Sequence, residues 1–321
     1  MPIAQGRAEA HVAEWVKGLS SSRAPYRQLW PKFVFRHEEI SNAVKIIELG
    51  SLLSRAQAVG YRDVAAVDIV TSTERAHAFS RLYFRPMSPT QYRIEGIRRP
   101  SEIWHGAHAP VLVMFAFDAV SVLSRAGTQF SNGNMQSVES NYDSTESFFS
   151  EIAFADVYHV GSFTQDQKDR IVRSRCAEVL ATSPLPLAGN LRAIICRSPA
   201  ERAFLLESVG SAAASQWGRF VVSHTEPGIF ENKWAYVETV DVSGAGVRIK
   251  FHPRQDASPC QFAVKIYRNQ TLIWNGKNEG ADMSLVWNVK TQLNPGVYRC
   301  VIEVDGCLAY SASHLVDELP F

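Results

Sequence analysis

The chain has 321 residues, a net charge of +1, and is 46% hydrophobic and 20% charged, the make-up of a globular protein with a sizeable core in one large domain or two. A charge so near zero excludes the global basic footprint of a duplex-coating protein, so any nucleic-acid contact must come from a local patch. No apolar run approaches the roughly 18–20 residues that cross a bilayer, and the N-terminus lacks the apolar segment of an export signal. The five cysteines, odd in number and without a CxxC pair, read as reduced thiols. The expectation is a cytoplasmic protein with no membrane association and no metal.

Residues 1–20 predict a helix with Val12, Trp15, Val16 and Leu19 on one face. Ser20-Ser21-Ser22 and Pro25 end it. A strand follows over 32–37. Ser41-Asn42 then offers an N-cap to a helix over 43–49, which Gly50 closes. Residues 52–55 read as a second short strand and 56–80 as irregular with helical pieces. Strands over 81–85 and 110–118 precede a helix over 119–124 and an Asn132-Gly133 turn. Helices over 145–152 and 164–173 lead into strands over 174–181 and 191–196, and Ser198-Pro199 starts another helix. After 211–219 the pattern turns almost wholly to strands. Arg268-Asn269-Gln270 and Asp305-Gly306 mark hairpins, and turn signals recur every 8–12 residues or so. The fold class expected is α+β over residues 1–215, followed by an immunoglobulin-like β-sandwich over 220–321.

The most distinctive stretch is Leu82-Tyr83-Phe84-Arg85-Pro86-Met87-Ser88-Pro89-Thr90-Gln91-Tyr92. Each proline fixes its own backbone and extends the residue before it, which builds a rigid platform for a cation and aromatic faces. In 173–180, read as a strand, Arg175 and Ala177 share one face and Cys176 and Glu178 the other. Arg36-His37 at a strand end, with Asn42 at a helix start, suits an anion such as pyrophosphate. Ser54-Arg55 is a weaker candidate. His105 and His108 have no further ligands at metal spacing. The absence of GxGxxG, GxxxxGK[ST] and GxSxG argues against Rossmann dehydrogenases, P-loop enzymes and α/β-hydrolases.

Several segments, in order over about residues 30–210, resemble the DarT family of DNA ADP-ribosyltransferase toxins, partners of macrodomain antitoxins. They are Phe35-Arg36-His37 with Asn42, Gly50-Ser51-Leu52-Leu53-Ser54-Arg55, Arg81 to Tyr92 with Glu95-Gly96-Ile97-Arg98, His108-Ala109-Pro110-Val111, Phe130-Ser131-Asn132-Gly133-Asn134 and Arg175-Cys176-Ala177-Glu178-Val179-Leu180. The wording around Arg85 and Gln91 looks most like the branch that modifies guanine rather than thymine. The resemblance implies an ADP-ribosyltransferase-like split mixed β-core that clamps NAD as co-substrate, without a metal, and passes ADP-ribose to a base of single-stranded DNA. Cleaving the nicotinamide–ribose bond passes through an oxocarbenium-like state. In that role Glu178 holds the ribose hydroxyl, steadies the positive charge and helps remove a proton. Arg85 pairs with phosphates or positions the acceptor. Arg36 or His37, with Asn42, holds the nicotinamide-side ribose or amide. Tyr83 or Tyr92 stacks on nicotinamide, and Ser54 and Arg55 complete the NAD site. Arg93, Arg98, Arg99, Arg173 and Arg175 are the candidates for the DNA groove. A macrodomain antitoxin is the implied protein partner. The same chemistry on RNA, and an inactive nucleic-acid-binding or sensor module, are the alternative expectations.

Overall fold

Leu112–Asp118 is apolar at every position but the last, and it folds as a strand buried on both faces, the pattern of a sheet interior. The computed structural model that shows this describes residues 3–20, 24–62, 77–135, 137 and 139–317. The first two-thirds contain strands β1 (Phe33–Glu39), β2 (Ser51–Leu52), β3 (Phe79–Tyr83), β4 (Leu112–Asp118), β5 (Gln129–Ser131), β6 (Tyr142–Asp143), β7 (Glu178–Thr182), β8 (Leu185–Pro186), β9 (Leu191–Cys196) and β10 (Val221–Ser223). Eight of them form one sheet in the order β10-β9-β4-β1-β3-β7-β5-β6, while β2 pairs with β8. Only β10 on β9 is parallel among these pairs, so the sheet is mixed. Tyr83 of β3 stands opposite both Phe35 of β1 and Glu178 of β7.

Nine α-helices surround the sheet among the described residues: α1 (Gln5–Ser20), α2 (Ile40–Leu49), α3 (Pro89–Ile94), α4 (Ala119–Leu123), α5 (Glu146–Glu151), α6 (Phe154–Val157), α7 (Lys168–Ser174), α8 (Pro199–Ser208) and α9 (Ser211–Trp217). Gly50 ends α2 with φ 68°, a left-handed conformation that suits glycine. Ser198 caps α8 and Pro199 stands at its first turn. In α1 the most deeply buried residues are Ala8, His11 and Leu19, with Val12, Trp15 and Val16 only partly covered. His11 lies against Phe149 and Phe154 and within 3.3 Å of the Tyr158 hydroxyl. Burial, and then the charge of Arg7, hold its imidazole down at about 3, so it is neutral.

The remaining strands are β11 (Tyr236–Ser243), β12 (Gly246–His252), β13 (Cys260–Arg268), β14 (Thr271–Ala281), β15 (Val286–Lys290), β16 (Gly296–Val304) and β17 (Cys307–Val316). They form two antiparallel sheets, β11-β12-β15 and β14-β13-β16-β17. Asn269 and Gln270, like Asp305 and Gly306, all have positive φ, as two-residue type I′ hairpins require.

This all-β region is tied to the mixed sheet. Phe204 of α8 meets Tyr310, and Ser313 Oγ donates to Glu207 Oε1 at 2.6 Å. Ser198 Oγ donates to the Val237 carbonyl at 2.6 Å. The Glu95 carboxylate, fully buried, accepts from Gln91 Nε2 at 2.8 Å and from the backbone N–H groups of Glu231 and Asn232 at 3.0 and 3.1 Å. Val221–Ser223, expected in the sandwich, instead extends the core sheet as β10.

Three local expectations are corrected. Asn42 does not cap α2: the helix starts at Ile40, and the Glu39 side chain accepts from Ser41 N–H. The strand expected over 174–181 starts only at Glu178, because α7 runs to Ser174 and a turn follows, so face-sharing between Arg175 and Ala177 does not apply. The strand of 52–55 shrinks to Ser51–Leu52. Most of the irregular stretch of 56–80, from 63 to 76, and Ser21-Ser22 at the end of α1, lie outside the described residues.

Candidate active site

Alternation along β3 puts Phe79, Arg81 and Tyr83 on one face, and these three line a cavity of about 320 Å³. That volume lies within the range of small-molecule sites. Its other walls come from β1 (Arg36, His37, Glu38), from Asn42, from the 52–62 segment (Arg55, Tyr61, Arg62), from α3 (Thr90, Arg93) and from Trp104 and Asn134. Five arginines against one lining carboxylate make it a cleft for an anion.

The floor is an ion pair. Arg81 reaches diagonally to β7, where its Nε donates to Glu178 Oε2 at 2.5 Å and its Nη2 to Oε1 at 2.6 Å. Glu178 is fully buried, and its Oε1 also accepts from Met135 N–H at 3.2 Å. Its own N–H donates to Ser131 Oγ at 3.0 Å. Burial works against the Arg81 cation, but the carboxylate beside it wins and holds its pKa above the usual range. Arg36 is balanced in the same way by Glu38, its Nε donating at 2.7 Å.

His37 stacks on Tyr83 with ring centroids 5.1 Å apart and planes 11° apart. Burial, and then the charges of Arg36 and Arg81, push the His37 imidazole down to about 3, so it stays neutral at physiological pH. Burial and the Glu178 carboxylate push the Tyr83 phenol up to about 12, which keeps its proton in place. Asn42 grips the backbone of Arg62: its Nδ2 donates to the Arg62 carbonyl at 2.7 Å, and its Oδ1 accepts from Arg62 N–H at 2.8 Å.

Of the residues singled out from sequence, Arg36, His37, Asn42, Arg55, Tyr83 and Arg93 line this cavity, and Glu178 lies directly beneath it through Arg81. Arg85 does not. It points into the core, donating to the backbone carbonyls of Pro86, Val157 and His159 and lying 4.6 Å from the Trp30 ring centre. Burial, and then Arg175, pull its pKa down to about 9. Ser54 is buried, with its N–H on Ser183 Oγ at 2.6 Å. Tyr92 faces solvent outside the cavity, against Trp234 and Lys233.

Arg98 is buried, bonded to the carbonyls of Tyr92 and Glu95 and stacked 3.7 Å from the Trp234 ring centre. Arg99 pairs with Glu102 and Asp256, and Arg173 with Glu139. Arg175 packs on Phe163 and reaches His159 Nδ1 at 2.7 Å. None of these four lines the cavity. Sequence reasoning missed Arg81, Glu38 and Arg62. The signal for two of them was present: Arg81 stands two residues before Tyr83 on one strand, and Glu38 two after Arg36.

The family described as ssDNA thymidine ADP-ribosyltransferase, DarT, matches residues 35–224, more than half of the chain. The mixed sheet and its helices are an ADP-ribosyltransferase-like core, followed by an all-β region. Among solved structures, Thermus sp. 2.9 DarT in complex with ADP-ribosylated ssDNA is similar at 17% identity and a TM-score of 0.48, over 61% of this chain and 95% of that one. Thermus sp. 2.9 DarT in complex with NAD+ aligns at 17% identity and a TM-score of 0.46, over 61% and 96%. Thermosipho africanus DarTG in complex with ADP-ribose aligns at 20% identity and a TM-score of 0.43, over 61% of this chain and 50% of that one. No curated protein matches the chain.

Proposed function

The chain belongs to the DarT family, and we propose that it transfers ADP-ribose from NAD to a base of single-stranded DNA in the cleft floored by Arg81 and Glu178. The observation that carries this reading is the buried, two-pronged Arg81–Glu178 pair at the base of an arginine-lined cavity.

The chemistry asks for what the cleft holds. Arg55 and Arg62, both lining residues, offer positive charge to a pyrophosphate. The neutral His37 imidazole and the Tyr83 hydroxyl supply uncharged hydrogen bonds for an amide or ribose. In the reaction the C1′–nitrogen bond to nicotinamide breaks and its electron pair leaves with nicotinamide as a neutral molecule. The base nitrogen bonds to C1′ and gives up its proton. Glu178 is the carboxylate that steadies the oxocarbenium-like ribose and accepts that proton. Arg81 is its orienting partner. A single strand presents its bases without the cost of flipping one out of a duplex.

We further propose guanine as the acceptor, supported by the wording of the segment from Arg85 to Gln91. A toxin-like role, with a macrodomain antitoxin as partner, follows from the same resemblance. Incubation with NAD and four single-stranded oligonucleotides, each with one type of base at its centre, tests the reaction and the acceptor. Addition of ADP-ribose to the guanine strand is expected. Addition to the thymine strand alone overturns the choice of base, addition to matched RNA alone overturns the DNA reading, and no addition to any strand sinks the transferase reading.

A further inference from the structure

Beside the cavity mouth lies a surface that the NAD chemistry leaves unused. Trp104 lines the cavity yet is 43% exposed, and Arg93, also a lining residue, places its guanidinium 4.9 Å from the Trp104 ring centre. The residue before Arg93, Tyr92, is 42% exposed, with Lys233 Nζ 4.8 Å from its ring centre. Large aromatic rings left in solvent, alternating with cations, are the composition of a platform for unpaired bases: each base has a π-face to stack, and each phosphate a cation. Arg93 and Tyr92 are consecutive in helix α3, with Arg93 turned to the cavity and Tyr92 exposed outside it. Trp234 packs against Tyr92 in a T-shaped contact, ring centres 5.3 Å apart. Lys233 lies beyond the family-matched residues 35–224, so one cation of this surface comes from outside the shared core.

We propose that Trp104, Arg93, Tyr92 and Lys233 form a stacking track that holds the nucleotides flanking the acceptor base of a single strand. The proposal rests on the nucleic-acid reading above and names the residues that hold the strand. Duplex DNA, with its bases stacked on one another, has no free face to offer the track.

The test uses the full-length protein, a fluorescein-labelled mixed-sequence 12-mer and its duplex, read by anisotropy, with the melting-temperature shift caused by NAD measured separately on the wild type. Tighter binding of the single strand is expected. Trp104→Ala and Tyr92→Ala should each weaken it roughly 5- to 100-fold, the range of one lost stacking contact. Tyr92→Phe and Trp104→Phe keep a π-face and should restore most of the affinity, which separates stacking from a folding defect. Lys233→Ala should lower the slope of log affinity on log salt by about 0.7. Single-strand affinity unchanged in both alanine variants, or equal affinity for duplex, overturns the track. An NAD shift without any oligonucleotide binding overturns the track and leaves the NAD site standing.

Discussion

Arg81 and Arg85 are four residues apart and have opposite fates. Strand β3 ends at Tyr83, so Arg81 stays on the face that looks across to Glu178, while Arg85 has turned into the core. Of the two prolines that make Arg85 conspicuous in sequence, Pro86 lies in the bend that follows β3 and Pro89 opens helix α3. Removing its guanidinium strands the carbonyls of Val157 and His159, at about 1–3 kcal/mol for each buried group left unpaired. Arg85→Ala should therefore lower the melting temperature by several degrees while the folded fraction keeps its affinity for NAD. An unshifted melting temperature with lost NAD affinity would put Arg85 back in the site. Glu231 gives a pH signature. Burial, and then the neighbouring Glu95, raise its pKa from the ordinary glutamate value of 4.5 to about 7. The folded state thus holds this proton more tightly than the unfolded chain, so the stability Glu231 contributes is greatest below about 4.5 and is lost as pH rises through about 7. Glu231→Gln should gain melting temperature over the wild type at pH 8 and little at pH 4.5. An equal difference at both pH values would contradict that.

At the scale of elements, helix termini and strand parity were legible and junctions were not. Gly50 and Ser198-Pro199 announce their caps because the backbone there needs a left-handed residue or a side-chain acceptor. Strand β9 and both two-residue hairpins were readable from alternation and turn chemistry. The start of β7 was not, since the Arg175-Cys176 turn carries no glycine or proline to mark it, and Asn42 looked like a cap because its buried grip on Arg62 is a contact made 20 residues away. The segment after α3 shows how tightly the cleft wall is fastened. Gly96 has φ 86°, and a Cβ there would fall 2.6 Å from Trp234 Cβ. Gly96→Ala should cost about 1–3 kcal/mol through conformation and overlap together, and it should weaken single-strand binding, because Trp234 supports Tyr92. Calorimetry and anisotropy on the variant check both; a melting temperature within a degree of wild type would show the contact to be loose.

At the scale of the whole molecule, the all-β region is joined to the core by buried polar groups. Glu95 is fully buried and accepts from Glu231 and Asn232, and the buried Arg197–Glu201 pair sits under Tyr236. We therefore propose two domains that depend on one another, with the boundary after β10 instead of between residues 215 and 220. A chain ending at residue 224 should be much less stable than the full chain, because it leaves the Glu95 carboxylate buried without two of its donors. Equal melting temperatures for the two would refute that dependence. None of this coupling was legible in sequence, since it runs through single backbone N–H groups far apart in the chain. The central claim is that Glu178, oriented by Arg81, carries the transfer. Its most direct test is the single-turnover rate of ADP-ribose transfer to a single-stranded oligonucleotide, compared between the wild type and Glu178→Gln at matched folded content. The account predicts transfer by the wild type and a loss of about 10²–10⁴-fold in the variant; a variant that transfers at the wild-type rate would contradict it.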